Sequence, residues 1–398
     1  MFGIARSTRI AGAKIRLTHC AAAVIVLSGP ALAADWTLKF GASETASVND
    51  NIDLTVDNPD TALQTNANYS FDLLGKAHTY EIEFAPTLGL QRTFFADTAS
   101  DTQPLSYYPA ATLDLRKFGP RDTIALHASM ARSDANSNNL VQDVITSNQG
   151  YQLSSNLSAT VTHKVNATNS LEWTTAATRV DYSDPSTDLV PSLDVTSTGT
   201  WHRKMSQLID ANFALGAEYY DPNSTIDGTS LIMRSTVGAD AKLSRRLSVA
   251  GNVGVVVEDN KNSGMTVGPT FNLSADYKLK TTSFSVSAGL DLSPNTDGTL
   301  QNTLSTSASV SHQVNDALSF VLSAYYSKQA AFGSMGSGTT ASTATSSAFG
   351  ITPALNYQLS RDWNSSLSYQ FTDSMETTGS ARSNAVNLTL SYGYLLIP

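Results

Sequence analysis

Residues 271–292, with the sequence FNLSADYKLKTTSFSVSAGLDL, carry the pattern that determines the fold. Apolar side chains occupy alternate positions from Phe271 to Leu279 and again from Phe284 to Leu292, and polar residues lie between them. Strict alternation places the apolar side chains on one face of a β-strand and the polar side chains on the other. Since only a short polar link at Lys280 separates the two runs, the segment is predicted to be an antiparallel hairpin with one apolar and one polar face.

The same alternation recurs along the whole chain and predicts an all-β fold of about eighteen strands, with sixteen as the lower limit. The links between the strands are alternately short and long. Long polar loops are predicted at residues 44–62, 94–104, 132–149, 182–191, 220–230, 258–265, 328–346 and 372–383. The strands are predicted to centre near residues 40, 70, 85, 111, 127, 157, 175, 198, 213, 238, 252, 273, 288, 307, 322, 354, 367 and 390.

Alternating link lengths are typical of outer-membrane barrels, which have short periplasmic turns and longer extracellular loops. The sequence therefore predicts a transmembrane, antiparallel, up-and-down β-barrel with both termini in the periplasm. The expected location is the outer membrane of a Gram-negative cell, where lipid and lipopolysaccharide surround the barrel.

Residues 1–33 have the features of a secretory signal peptide. Basic residues up to Arg16 precede an apolar run at residues 21–27, and the small-residue site Ala31-Leu32-Ala33 follows. We predict cleavage after Ala33, which leaves residues 34–398 as the outer-membrane barrel. The only cysteine, Cys20, lies within the predicted signal peptide, so the barrel is expected to contain none.

Charge and motif content exclude several classes of function. The predicted signal peptide holds four of the 25 basic residues and none of the 34 acidic residues, which leaves a net charge of −13 and argues against a nucleic-acid partner. Of the histidines, only His127 falls on a predicted lumen face, and no nucleophile can be assigned to it. Histidine pairs at metal-ligand spacing are not found. We therefore predict no enzyme activity, no cofactor and no metal site.

The polar face of the strands is predicted to line a lumen rich in hydroxyl and amide groups. Tryptophans near the short turns are expected to form an aromatic girdle at the membrane interface, and basic residues in the turns a positively charged periplasmic rim. The candidate lumen residues are Lys39, Glu81, Glu83, Ser285, Ser287, Asp291, Ser305, Ser307, Asn364, Ser366, Asn387 and Thr389. The candidate girdle residues are Trp36, Trp173, Trp201 and Trp363, and the candidate rim residues are Arg203, Lys204, Arg245 and Arg246.

Two segments resemble known outer-membrane proteins. Residues 384–394, NAVNLTLSYGY, resemble the final strand of such barrels, although LLIP follows where an aromatic terminus is usual. This resemblance implies recognition by the barrel-assembly machinery. The turn sequence LSRRLS at residues 243–248, the overall length and the Ser/Thr-rich strands resemble the beta-barrel porin type 2 group. Members of that group are often associated with exopolysaccharide export.

Three functions remain open at this point. The main expectation is a conduit that exports a polysaccharide, because Ser, Thr and Asn side chains exchange hydrogen bonds readily with sugar hydroxyls, and the basic rim would attract an anionic polymer or a periplasmic export partner. The first alternative is a general or solute-specific diffusion porin. The second is a non-conducting structural or adhesion barrel that acts through its extracellular loops.

The predicted topology can be tested with epitope tags. Tags inserted near residues 139 and 337, in two of the long loops, should be accessible to antibody on intact cells, whereas a tag near Lys280 should be hidden until the outer membrane is permeabilised. The reverse pattern would show that the orientation of the barrel is wrong.

Overall fold

The computed structural model describes residues 34–397, apart from residues 53, 56–58, 97–104, 136–149, 184–188, 224–227, 263, 296, 333–345 and 377–378. The predicted signal peptide lies outside the described residues and remains a prediction. Among the described residues, no helix is long and apolar enough to cross a membrane.

Eighteen strands form a single antiparallel sheet that closes on itself, because β18 pairs with β1 as well as with β17. Each strand otherwise pairs with its neighbours in sequence. The strands are β1 (Asp35–Asn49), β2 (Ala62–Lys76), β3 (Tyr80–Phe95), β4 (Ser106–Phe118), β5 (Asp122–Asp134), β6 (Tyr151–Lys164), β7 (Asn169–Tyr182), β8 (Ser192–Lys204), β9 (Ile209–Pro222), β10 (Ser230–Lys242), β11 (Leu247–Asn260), β12 (Gly264–Lys278), β13 (Thr282–Pro294), β14 (Leu300–Gln313), β15 (Leu318–Ala331), β16 (Ser346–Gln358), β17 (Trp363–Glu376) and β18 (Gly379–Ile397).

The predicted fold class is confirmed, and each predicted strand centre falls within a different strand. Several predicted loops were too long. The loops predicted at residues 258–265 and 372–383 are reduced to residues 261–263 and 377–378, and the loop predicted at 44–62 to residues 50–61. The cause is that polar residues at the strand ends pair across strands, as in the ion pair between Arg382 Nε and Asp373 Oδ2 at 3.1 Å. A ninth link at this end, residues 295–299 between β13 and β14, was not predicted.

The two faces of the sheet differ as the alternation predicts. On β18, the side chains of Leu388 and Leu390 are on the outward face and are 52% and 41% exposed. Thr389, between them, points inward and shares a hydrogen bond of 2.9 Å with the hydroxyl of Thr45 on β1. The outward face therefore presents apolar side chains to lipid, and polar side chains point into the barrel.

The four tryptophans lie on the outward face, near the ends of strands that meet at short turns. Two of them cover glycines on the neighbouring strand. A Cβ atom at Gly75 would lie 2.7 Å from the ring of Trp36, and one at Gly199 would lie 3.1 Å from the ring of Trp173. These positions are compatible with the predicted aromatic girdle.

We expect Leu388→Arg to reduce the yield of folded barrel in the outer membrane far more than Thr389→Arg. A charged side chain on the lipid face costs about 2–4 kcal/mol at the midplane, whereas a change on the lumen face mainly affects selectivity. The measurement is the fraction of the protein in washed outer membranes that keeps its heat-modifiable mobility in gels. Equal yields for the two variants would contradict the assignment of faces on β18.

Candidate functional site

The residues predicted to line the lumen lie on the inward face, where many bond to one another across strands. The hydroxyl groups of Ser287 and Ser307 are 2.7 Å apart, and Ser305 lies opposite Gly289 in the same pair of strands. On β18, the amide of Asn387 donates to the hydroxyl of Ser368 at 3.4 Å. The wall from β13 to β18 is thus largely a surface of hydroxyl and amide groups.

A cavity of about 540 Å³ opens in this wall at the short-turn end. Asn364 and Ser366, two of the predicted lumen residues, contribute to it. The other lining residues are Ser311, Gln313, Asn315, Asp316, Ala317, Leu318, Ser319, Asn356, Tyr357, Gln358, Ser365 and Ser391. Among them, Asp316 is the only residue with a formal charge, so the cavity suits uncharged, hydrogen-bonding solutes.

The wall formed by β1 to β3 carries charges instead. Lys39 Nζ lies 3.5 Å from Asp72 Oδ2, and Glu81 Oε1 lies 3.6 Å from Lys76 Nζ. Glu83, farther along β3, is paired in register with Asp114 on β4.

The charged wall continues onto β5 through a histidine. The Nδ1 atom of His127 lies 3.0 Å from Asp114 Oδ1. His127 is thus part of the lining, bonded to Asp114 on one side and paired in register with Ser158 of β6 on the other.

The four basic residues predicted to form the rim are exposed in the region of two short turns. Arg203 and Lys204 end β8, and Arg245 and Arg246 precede β11. Their proposed role in attracting a partner remains a prediction.

The sequence did not predict the main feature of the lumen, which is a hairpin bent inward. The pairing of β13 with β12 ends at Leu290 and Phe271, although β13 continues to Pro294 and β12 begins at Gly264. Beyond that point β13 remains paired with β14, up to Leu300. We call residues 291–302, of which residue 296 is not described, the inward hairpin.

The contacts of Leu292 show where the inward hairpin lies. Leu292 continues the alternation of Val286 and Leu290 along β13, in which Val286 is exposed and Leu290 is already buried. Leu292 itself is buried in a cluster with Tyr220, Ile232 and Val256. Those three residues are on the inward face of the barrel wall: on β10, for example, Ile232 is fully buried between the exposed residues Leu231 and Met233. The outer face of the hairpin therefore packs against the inner wall of β9 to β11.

Polar contacts hold the inward hairpin at its base and along its side. The hydroxyl of Thr270 on β12 donates to the carbonyl of Leu290 at 2.9 Å. Arg234 on β10 donates from Nη2 to the carbonyl of Leu292 at 2.9 Å, and its Nε lies 3.5 Å from Asp291 Oδ1.

The tip of the inward hairpin reaches the loop that precedes β8. Gly298 has a φ of +88°, a conformation that favours glycine. A Cβ atom at this position would lie 3.1 Å from Pro222 and 3.2 Å from Val190. The hairpin thus crosses the inner surface from β12 to β8 and narrows the lumen in its long-loop half.

Acidic groups dominate beside the inward hairpin. The guanidinium of Arg234 forms an ion pair with Glu218, whose carboxylate is almost fully buried. Asp194 also interacts with Glu218, and Glu258 accepts a hydrogen bond of 2.8 Å from Ser230. The carboxylates of Glu218, Asp194 and Asp291 surround this arginine. Glu258, opposite Ile232, is a fourth acidic residue in this part of the wall. The narrowed region therefore carries net negative charge and disfavours anions.

The sequence could not reveal the inward hairpin because Leu290 and Leu292 fit a lipid-facing strand as well as they fit a buried contact. Within the hairpin, Asp291 is the one candidate lumen residue that the alternation named, and it lies beside Arg234. A signal was present in the charges, since Glu218, Arg234 and Glu258 occur at inward positions of neighbouring strands. A cluster of charged inward side chains at one level of the barrel indicates that the lumen is narrowed at that level.

A family model described as "Putative MetA-pathway of phenol degradation" matches residues 155–390, more than half of the chain. The chain belongs to this family. The match does not support the resemblance to the beta-barrel porin type 2 group. That resemblance therefore no longer supports the expectation of exopolysaccharide export. Among curated proteins, a sequence search found no match.

Solved structures similar to this member of the phenol-degradation family are outer-membrane channels. Pseudomonas aeruginosa OccK7 (OpdD) has a TM-score of 0.51 at 9% identity, with 91% of this chain and 99% of that chain covered. P. aeruginosa OpdQ has a TM-score of 0.50 at 10% identity and the same coverage. Acinetobacter baumannii OccAB3 also has a TM-score of 0.50 at 10% identity, covering 91% of this chain and 100% of that chain. At these identities the likeness shows the fold: the protein is a closed antiparallel β-barrel like those of these Gram-negative outer-membrane proteins.

We expect Arg234→Gln to release the inward hairpin and to raise both the conductance and the current noise of single channels in planar bilayers. The change removes the donor to the Leu292 carbonyl and leaves Glu218 buried without its cation, and breaking such a pair costs about 3–5 kcal/mol. The control is Arg179→Gln, since Arg179 is on the outward face and its partner is Asp181. Identical traces for wild type and Arg234→Gln would contradict the role of Arg234.

Proposed function

We propose that the protein is a diffusion channel for small uncharged or cationic solutes, with phenolic compounds as the class it takes up. The observation that carries the proposal is the inward hairpin across a polar lumen. Barrels of 16–18 strands are wide enough to leave an aqueous channel. A hairpin packed along the inner wall narrows that channel, which favours small solutes over a polymer.

The solute class is supported by the chemistry of the lumen. Phenols resemble the side chain of Tyr, whose pKa is about 10, so they are uncharged at neutral pH and are not repelled by the carboxylates beside the hairpin. Tyr108, Tyr182 and Tyr325 lie on the inward face and are partly exposed, and their rings can stack with an aromatic solute. The description of the matching family, which names phenol degradation, also favours this class.

The proposal is tested by comparing a deletion strain with its parent. The deletion should slow growth on phenol at low external concentration while leaving extracellular polysaccharide unchanged, and the cloned gene should restore growth. Loss of polysaccharide with normal growth on phenol would instead support the export hypothesis. Swelling of proteoliposomes in sugars of increasing size should show a cut-off, as expected of a narrowed lumen.

We also expect the channel to prefer cations to anions. In a potassium chloride gradient, the reversal potential should have the sign of cation permeation, and Asp194→Asn combined with Asp291→Asn should move it toward zero because two carboxylates are lost from the narrowed region. Asp259→Asn is the control, since Asp259 pairs with Leu231 on the outward face. A wild-type channel with anion preference would contradict the assignment of this region as the selective one.

A further inference from the structure

The pairing between β12 and β13 stops well before the long-loop ends of these two strands, which interrupts the wall of the barrel there. The register of β12 with β11 continues from Tyr277 to Gly264, along almost the whole strand. The register of β12 with β13 ends at Phe271. The first residues of β12, from Gly264 to Thr270, therefore have a neighbouring strand on one side only within the described part of the chain, while the continuation of β13 turns into the lumen.

The interruption lies at a level where the outward face of the wall is apolar. Beyond it, on the outward face of β12, Val267 and Met265 are 57% and 74% exposed, and Val255 on β11 is 48% exposed. Apolar side chains at these positions indicate that lipid covers the wall at this level. Backbone groups without a partner strand are expensive in hydrocarbon, so a break in the wall at this depth requires a local explanation.

Apolar side chains fill the space behind the interruption. Leu292 is buried there, and Leu300 and Phe332 pack against the same cluster. The ring of Phe332 lies over Gly268 of β12, where a Cβ atom would come within 2.6 Å of it. The absence of a side chain at Gly268 thus makes room for an aromatic ring on the inner side of the break. We call Leu292, Leu300 and Phe332 the apolar plug.

We propose that the interruption between β12 and β13 is a lateral route by which apolar aromatic solutes pass between the outer leaflet and the lumen. The route goes beyond the proposed aqueous channel and does not require it. A solute dissolved in the outer leaflet would contact Phe271, Val267 and the apolar plug in turn. An apolar solute on this path is not transferred into water, which would be unfavourable.

The route needs little rearrangement. Where two strands of the wall are paired, separating them breaks a ladder of hydrogen bonds in an apolar medium. Above Phe271 that ladder has already ended, and the hydroxyl of Thr270 bonded to the Leu290 carbonyl closes only the base of the gap. Rotation of Phe332 and Leu292 out of the gap is then enough to admit a ring.

The experiment follows entry of the apolar aromatic fluorophore N-phenyl-1-naphthylamine into cells that carry the full-length protein, with the deletion strain as background. The pair Thr270→Cys and Asp291→Cys, at the base of the gap, should form a disulfide that prevents widening. The matched pair Ser274→Cys and Ser287→Cys joins the same two strands within their paired part. Oxidation should slow entry of the fluorophore several-fold in the first pair, with recovery on reduction, and leave the second pair unchanged.

A second set of variants opens the route instead of closing it. Phe332→Ala should speed entry of the fluorophore several-fold, whereas Phe349→Ala, which removes an aromatic ring from the outward face of β16, should not. The proposal is overturned if oxidation affects both cysteine pairs equally or affects neither of them. It is also overturned if the fluorophore enters cells carrying Phe332→Ala at the wild-type rate.

Swelling of proteoliposomes in a small polar sugar separates this proposal from the proposed function. If wild type fails to pass the sugar but the fluorophore behaves as expected, the aqueous channel is wrong and the lateral route stands. If the sugar passes and the fluorophore enters no faster than in the deletion strain, the lateral route is wrong and the channel stands.

Discussion

The structure depends on the requirement that every backbone N–H and C=O group within the membrane has a hydrogen-bond partner in the protein. In hydrocarbon, only helices and closed barrels meet this requirement. Closure of β18 onto β1 removes the two edges that an open sheet would expose to lipid. Once the sheet is closed, alternate residues must face lipid or lumen, and the composition of each strand follows from that division.

The inward hairpin is the departure from this rule, and the function proposed for the barrel depends on it. Where β13 leaves β12, its outer face no longer contacts lipid and packs against the inner wall of β9 to β11. Leu292 therefore remains in apolar surroundings. The hydrogen bond from Arg234 to the Leu292 carbonyl fixes the hairpin on one side, and the Thr270 hydroxyl fixes its base. The barrel thereby has a narrowed, negatively charged region in its lumen, and the wall has an apolar gap at the same level.

The sequence predicts the features that depend on local interactions, and it does not predict those that depend on long-range packing. Alternation is a local property, and it located the strands and the inward side chains, from Lys39 on β1 to Thr389 on β18. The ends of strands were predicted less well, because the pairing of Asp373 with Arg382 depends on which strand lies opposite. The inward hairpin was missed because the alternation of Leu290 and Leu292 is the same whether lipid or another part of the wall covers them. Long-range packing decides between those two cases, and a single sequence does not contain it.

The central claim is that the tip of the hairpin between β13 and β14 lies inside the barrel, and one cross-link tests it directly. Gly298 and Val190 belong to different hairpins, and a Cβ atom at Gly298 would lie 3.4 Å from the Cβ of Val190, close to the separation of about 3.8 Å typical of disulfides. The barrel has no other cysteine once the predicted signal peptide is removed. With Gly298→Cys and Val190→Cys, oxidation of intact outer membranes should form the intramolecular disulfide in most of the folded protein, because a disulfide contributes about 2–4 kcal/mol against a cost of about 1–2 kcal/mol for a non-glycine residue at this positive φ. If both cysteines remain reduced and Cys at 298 reacts rapidly with a membrane-impermeant maleimide, the hairpin projects from the cell surface and the account is contradicted.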